Sequence, residues 1–72
     1  MSEACSALAV HIADVLVQTS DETQRAFLVQ ERARLVQQAG ASCQRGNWSA
    51  DKMKCFTATR TQAELDTCNK LP

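Results

Sequence analysis

Four cysteines in a chain of only 72 residues constrain this sequence more than any other feature. Cys43, Cys55 and Cys68 lie within the segment CQRGNWSADKMKCFTATRTQAELDTC, and Cys5 lies near the N-terminus. A chain this short buries only about 60% of the surface that its unfolded form exposes. Its core rarely supplies more than about 3–5 kcal/mol, so a covalent staple is expected. Four cysteines can provide two disulfides.

Other uses of the cysteines fit their spacing less well. Structural zinc sites usually bring ligands as C-x₂₋₄-C pairs, and thioredoxin-like redox chemistry needs C-x-x-C; the chain has neither. A CHCH-type helical hairpin would show two equal C-x₉-C segments, which are also missing. We therefore expect two structural disulfides, with no metal and no cofactor.

The cysteines also bear on the compartment. The protein is either cytosolic with free thiols, or a mature secreted or periplasmic domain whose signal peptide was replaced by a start Met. The first five residues, MSEAC, have neither the basic start nor the apolar block of a signal peptide. An even number of cysteines in a small, core-poor chain favours the secreted or periplasmic interpretation.

The chain is predicted to be helical and free of strands. Glycine occurs only at Gly40 and Gly46, the single proline is the last residue, and no Asn-Gly or Asp-Gly hairpin pattern is present. Thr19–Glu22 and Thr61–Glu64 fit the capping box that begins a helix, and Ser49 can cap another. We predict one all-α domain over residues 1–72, a compact bundle of two longer and two short helices. Their predicted ranges are 3–18, 21–44, 50–58 and 62–70.

The first predicted helix is apolar around most of its circumference. One face carries Cys5, Leu8, Ile12, Val15 and Leu16, and Val10, Ala13 and Val17 widen it. Such breadth predicts a helix that is covered on two sides.

Helix geometry ranks the three possible disulfide pairings. If the helices run up and down without a break, each cysteine has a height along the second predicted helix, at 1.5 Å per residue. Cys5 then lies level with about residue 35, Cys55 with about residue 40 and Cys68 with about residue 43. These heights favour Cys5–Cys55 with Cys43–Cys68. The pairings Cys5–Cys68 with Cys43–Cys55, and Cys5–Cys43 with Cys55–Cys68, need larger offsets but stay open.

The charges exclude several classes of function. Eight basic and eight acidic residues are intermixed, so we expect no nucleic-acid partner. No apolar run approaches the 18 residues that a membrane span needs.

His11 is the single histidine, with no nucleophile beside it and only Asp14, one turn on, to pair with. We expect no catalytic residues and no enzymatic activity.

The second predicted helix has a narrower apolar stripe, formed by Leu28, Val29, Leu35, Val36, Ala39 and Cys43. Two residues break its pattern. Arg32 falls inside the apolar stripe, where its stem is expected to pack while its head reaches water. Phe27 falls on the polar face, where an exposed aromatic can anchor a partner protein. Together with Val10 and Val17, Phe27 is our candidate partner-binding or self-association surface.

The residues Cys43, Trp48-Ser49, Cys55, Ala58-Thr59 and Cys68 resemble small four-cysteine helical domains in secreted and lipoprotein-like proteins of myxobacteria and their relatives. That resemblance implies an extracytoplasmic helical module with no assigned activity. The chain also resembles secretoglobins in its length, its four predicted helices and its Cys5, Cys43 and Cys68. This second resemblance implies disulfide-linked dimers around a hydrophobic cavity, although Cys55 and Arg32 depart from it.

Two functions follow from these observations. The first is a disulfide-stabilised, non-enzymatic module that binds a protein partner. The second is a secretoglobin-like carrier of a small apolar ligand, possible as a monomer or a dimer. An apolar cavity would favour the carrier, and a filled core would favour the interaction module.

Overall fold

A computed structural model of residues 1–72 consists of five α-helices and contains no strand. The all-α fold class is confirmed, but the predicted number of four helices was wrong. The predicted helix over 21–44 is two helices that meet at Glu31. The five helices are α1 Glu3–Thr19, α2 Glu22–Gln30, α3 Arg32–Gly46, α4 Ala50–Thr57 and α5 Gln62–Asn69.

The break between α2 and α3 involves a single residue. Glu31 has φ −93° and ψ 6°, outside the helical region, yet its N–H still donates to the carbonyl of Phe27 at 3.1 Å. Its own carbonyl accepts from Leu35 at 2.9 Å and so begins α3. Because neither glycine nor proline stands there, the local sequence carries no mark of the break.

Side-chain caps begin four of the helices. Ser2, Asp21, Ser49 and Thr61 each accept a hydrogen bond from the backbone N–H three residues later. The caps predicted at Ser49 and Thr61 are therefore confirmed. The capping box predicted at Thr19 was wrong, because Asp21 caps α2 while the Thr19 hydroxyl donates to the carbonyl of Val15. Such side-chain bonds satisfy N–H groups that the helix leaves without a partner.

Helix α1 lies at the centre of the molecule and contacts all four other helices. Helix α3 runs antiparallel along one side, with Arg32 beside Asp14 and Gln44 beside Ser2. The α4–α5 hairpin covers another side, where His11 contacts Thr59. The broad apolar face of α1 is explained by these two layers, as the sequence predicted.

The core is small. Only 13 of the 72 residues are buried. The Trp48 ring stacks on Phe56 with 4.7 Å between ring centroids, and the ammonium of Lys52 lies 4.9 Å from the Trp48 centroid. The buried residues of the main cluster are Cys5, Leu8, Val15, Cys43, Phe56, Leu65 and Cys68.

All four cysteines form disulfides within the chain, as predicted, but the favoured pairing was wrong. The bridges are Cys5–Cys43 and Cys55–Cys68, with Cα–Cα distances of 5.7 and 5.6 Å. The predicted heights assumed one unbroken helix after the first turn. The break at Glu31 means that α2 does not lengthen α3, so Cys5 lies level with residue 43 instead of about residue 35. This shift is about 12 Å of helical rise, which removes Cys5 from Cys55 and leaves Cys55 to close the α4–α5 hairpin with Cys68.

Replacing Gly40 with alanine is expected to stabilise the protein by up to about 1 kcal/mol. Gly40 is buried within α3, where alanine is the better helix former. A Cβ there would overlap the end of the Met1 side chain and would lie at an ordinary 3.6 Å from Cβ of Ala9. Met1 is 62% exposed, so its flexible end can move away at little cost. Chemical denaturation of Gly40→Ala checks the sign.

Gly46→Ala is the matched control, because the Cβ added there would contact the ring of Trp48, which is held in place by stacking. A Cβ at Gly46 would lie 2.8 Å from Nε1 of Trp48, whose ring is stacked on Phe56. We expect no gain in stability from Gly46→Ala. A Gly40→Ala protein that unfolds at lower denaturant concentration than the parent would contradict the prediction.

Candidate functional site

Helix α2 is the one helix that contains no buried residue. Phe27 is 62% exposed and Val29 is 56% exposed, while Leu28 between them is half-buried. Successive residues of a helix are 100° apart, so Phe27 and Val29 lie on opposite flanks of Leu28. Helix α2 therefore places Leu28 towards the rest of the protein and presents an apolar side chain on each flank.

Polar contacts at its start attach α2 to the end of α1. The guanidinium of Arg25 donates to the carbonyl of Val17 at 3.2 Å and to the carbonyl of Ser20 at 3.1 Å. The last carbonyls of a helix have no partner within it and carry partial negative charge, so a cation there is favourable. The Asp21 carboxylate accepts from the N–H of Gln24 at 2.8 Å and fixes the first turn of α2.

The predicted partner-binding residues do not form one open face. Phe27 is exposed, as the sequence predicted, and Val10 on α1 is 39% exposed. Val17 is half-buried, and Ala13, which lies between Val10 and Val17, is fully buried. That flank of α1 is therefore largely covered. The candidate site is therefore smaller than predicted and centres on α2.

Sequence reasoning missed Val29, which it placed in the buried stripe of a long second helix. The stripe assumed one continuous helix from residue 21 to residue 44, but α2 ends at Gln30 and α3 begins at Arg32. Val29 stands two residues before the break at Glu31 and loses the cover that the stripe implied. Only the break itself could have revealed its exposure.

The polar residues singled out from the sequence have structural partners. Arg32 donates to the Asp14 carboxylate at 3.0 Å, with both side chains more than 40% exposed, so the pair is screened by water. The expectation that Asp14 pairs with His11 was wrong. His11 Nε2 instead donates to the carbonyl of Thr59 at 2.9 Å and ties α1 to the α4–α5 loop.

Three recesses of about 240–360 Å³ lie on the surface. The most apolar, of about 340 Å³, lies on the α4–α5 hairpin and reaches both Cys55 and Cys68. No cluster of three or more His, Cys, Asp or Glu side chains is arranged to hold a metal ion. None of the five helices has the length and apolar character of a membrane span.

No protein-family model, curated protein or solved structure matches this chain. The two resemblances drawn from the sequence stay predictions. The features of this chain that bear on function are the exposed surface of α2, the recesses and the disulfides.

Proposed function

We propose that this chain is a small, disulfide-stabilised extracytoplasmic module that binds a protein partner through α2 and has no catalytic activity. The observation that carries the proposal is the exposure of Phe27 and Val29, at 62% and 56%, on a helix that buries no residue. Aromatic side chains dominate the affinity of many protein interfaces. Phe27 is the residue that we expect to contribute most.

The way α2 is held supports this proposal. A helix of nine residues is marginal in water on its own. Here the helix is fixed at its start by Asp21 and Arg25 and on one face by Leu28. Because these contacts leave Phe27 free, a partner would meet a preformed helix and lose little conformational entropy on binding.

The disulfides support the extracytoplasmic part of the proposal. Two bridges in a chain with 13 buried residues are typical of small secreted domains that lack a sufficient core. Disulfides persist in oxidising compartments and are rare in the cytosol. We place the protein outside the cytoplasm, secreted or periplasmic.

A carrier of small apolar ligands is the second candidate, favoured by the recess on the α4–α5 hairpin. Its volume of about 340 Å³ falls within the range of ligand pockets, about 300–1,000 Å³. The recess lies at the surface and its lining includes the polar Thr59, Glu64 and Thr67. A secretoglobin-like dimer joined by disulfides would also require one of the two bridges within the chain to open. These features favour the interaction module.

Phe27→Ala tests the leading proposal. Because Phe27 is 62% exposed, its truncation is expected to change the melting temperature by no more than a few degrees. Binding to a partner, or self-association of the chain, should weaken by about tenfold or more, the loss typical of an aromatic interface residue. Partners are isolated by crosslinking to the native protein in its own extracytoplasmic fraction, and self-association is measured by analytical ultracentrifugation.

Leu71→Ala is the matched control, because Leu71 is another exposed apolar residue, at 38%, and lies outside α2. A relevant partner is one that the parent and Leu71→Ala retain and Phe27→Ala loses. If both variants retain the same partners and the same association state, α2 is not the binding surface. Saturable binding of an apolar dye that Thr67→Trp in the recess blocks would favour the carrier instead.

A further inference from the structure

The two disulfides differ in solvent exposure. In the bridge between α1 and α3, Cys5 is 6% exposed and Cys43 is 2% exposed. In the bridge between α4 and α5, Cys68 is 2% exposed but Cys55 is only half-buried. An attacking thiolate must reach a sulfur in line with the bond that breaks, so exposure strongly affects the rate of reduction.

Recesses lie against both bridges, but their linings differ. The recess at Cys5 and Cys43 is the smaller, about 240 Å³, and Trp48 and Met53 line it as well. The recess at Cys55 and Cys68 is about 340 Å³, and apart from Glu64 its other lining residues are small, namely Ala58, Thr59, Ala63 and Thr67. A thiol can therefore approach Cys55 with fewer large side chains in its way.

The bridges also join helices that are held to different degrees. Helix α1 packs along α3 more extensively than any other two helices pack. Helix α5 has eight residues, of which only Leu65 and Cys68 are buried. Besides the packing of these two residues, one hydrogen bond joins α5 to α1, from the side chain of Gln62, its first residue, to the Thr19 hydroxyl at 3.2 Å. Local opening of α5 is therefore easier than separation of α1 from α3.

We propose that Cys55–Cys68 is a site of thiol–disulfide exchange, which a dithiol reductant opens while Cys5–Cys43 stays closed. This proposal is independent of the partner surface on α2. It makes α5 a segment that can be released by reduction without loss of the α1–α3 pair.

The exchange is a two-electron reduction of the protein disulfide by the dithiol. A thiolate of the dithiol attacks Sγ of Cys55, the bond to Cys68 breaks, and the Cys68 sulfur leaves as a thiolate that takes up a proton. The second thiol of the reductant then displaces Cys55 from the mixed disulfide. The products are two protonated cysteines and the oxidised dithiol.

Glu64 is the one charged residue that lines this recess. Its carboxylate lines the recess and is held by the backbone N–H of Arg60 at 2.9 Å and by the Thr61 hydroxyl. A fixed negative charge repels an approaching thiolate, and the repulsion weakens as salt increases. A reductant with no charge besides its attacking thiolate, such as dithiothreitol, is therefore expected to reduce this bridge faster than one that carries a further negative charge.

Timed reduction of the native protein with dithiothreitol tests the proposal. Samples are quenched with iodoacetamide, digested without further reduction and mapped by mass spectrometry. We expect a species alkylated at Cys55 and Cys68, with Cys5–Cys43 intact, to accumulate at least about tenfold faster than the converse species. Simultaneous loss of both bridges, or earlier loss of Cys5–Cys43, would overturn the proposal.

The same reduction in guanidinium chloride sufficient to unfold the protein is the control. The preference should disappear there, because unfolding exposes both bridges equally. A preference that persists in denaturant would show that local sequence, and not the fold, decides the order, and would also overturn the proposal.

Glu64→Gln examines the recess itself and keeps the capping residue at the start of α5. At low ionic strength this variant should be reduced several-fold faster than the parent by 2-mercaptoethanesulfonate, and less so by dithiothreitol. Asp66→Asn, on the same helix but outside the recess, should leave both rates unchanged. Equal effects of the two substitutions would show that reduction does not proceed through the recess.

Discussion

Reduction of both disulfides is expected to abolish cooperative unfolding or to lower the melting temperature by tens of degrees. The bridges close loops with sequence separations of 38 and 13 residues. In the chain-entropy model these loops correspond to about 4 and about 3 kcal/mol of stabilisation. Their sum is comparable with the whole stability of an ordinary small domain, about 5–15 kcal/mol.

Circular dichroism during heating, with and without a phosphine reductant, measures this effect. Two double variants separate the bridges, Cys5→Ala with Cys43→Ala and Cys55→Ala with Cys68→Ala. We expect the larger loss from the first pair, because its loop is longer and both of its cysteines are buried in the main cluster. A reduced protein that melts within a few degrees of the oxidised one would show that the apolar core suffices alone.

Local patterns in the sequence predicted much of the fold. The caps at Ser49 and Thr61 and the scarcity of glycine and proline predicted the helical class. The broad apolar face of the first helix predicted that α1 is covered on two sides. Each of these features depends on contacts within a few residues or on the period of one helix. Such features can be read without knowing how the helices pack.

The disulfide pairing could not be predicted in the same way, because it depends on the path of the whole chain. One non-helical residue, Glu31, changes the direction of the helix and moves Cys5 from the level of residue 35 to that of residue 43. No glycine or proline marks this position, and no side-chain cap begins α3 there, so no local pattern indicates the turn. A single local error was enough to exchange the partners of all four cysteines.

Within the candidate site, the exposure of Phe27 could be predicted from the sequence. Phe27 interrupts a polar face, and this mismatch indicated exposure regardless of how the helices pack. Val10 and Val17 were assigned from the width of the apolar face on α1, and the structure leaves only Val10 exposed. The width of an apolar face around a helix does not distinguish side chains that a neighbouring helix covers from those that it leaves exposed.

Phe56→Ala is expected to cost about 3–5 kcal/mol, the loss typical of removing a buried phenylalanine. Phe56 is 4% exposed, belongs to the main buried cluster and stacks on Trp48 at 4.7 Å. Its removal leaves a cavity in the main buried cluster and removes the ring on which Trp48 stacks. The free energy of unfolding, from denaturant titration with the disulfides intact, measures the loss.

The chain provides its own control, because its only other phenylalanine is the exposed Phe27. Phe27→Ala removes the same atoms, yet we expect it to change the free energy of unfolding by less than about 0.5 kcal/mol. Fluorescence of Trp48, the single tryptophan, gives a second readout that should change in Phe56→Ala and stay constant in Phe27→Ala. A loss below about 1 kcal/mol in Phe56→Ala, or equal losses in the two variants, would show that the stacked pair is not the centre of the core.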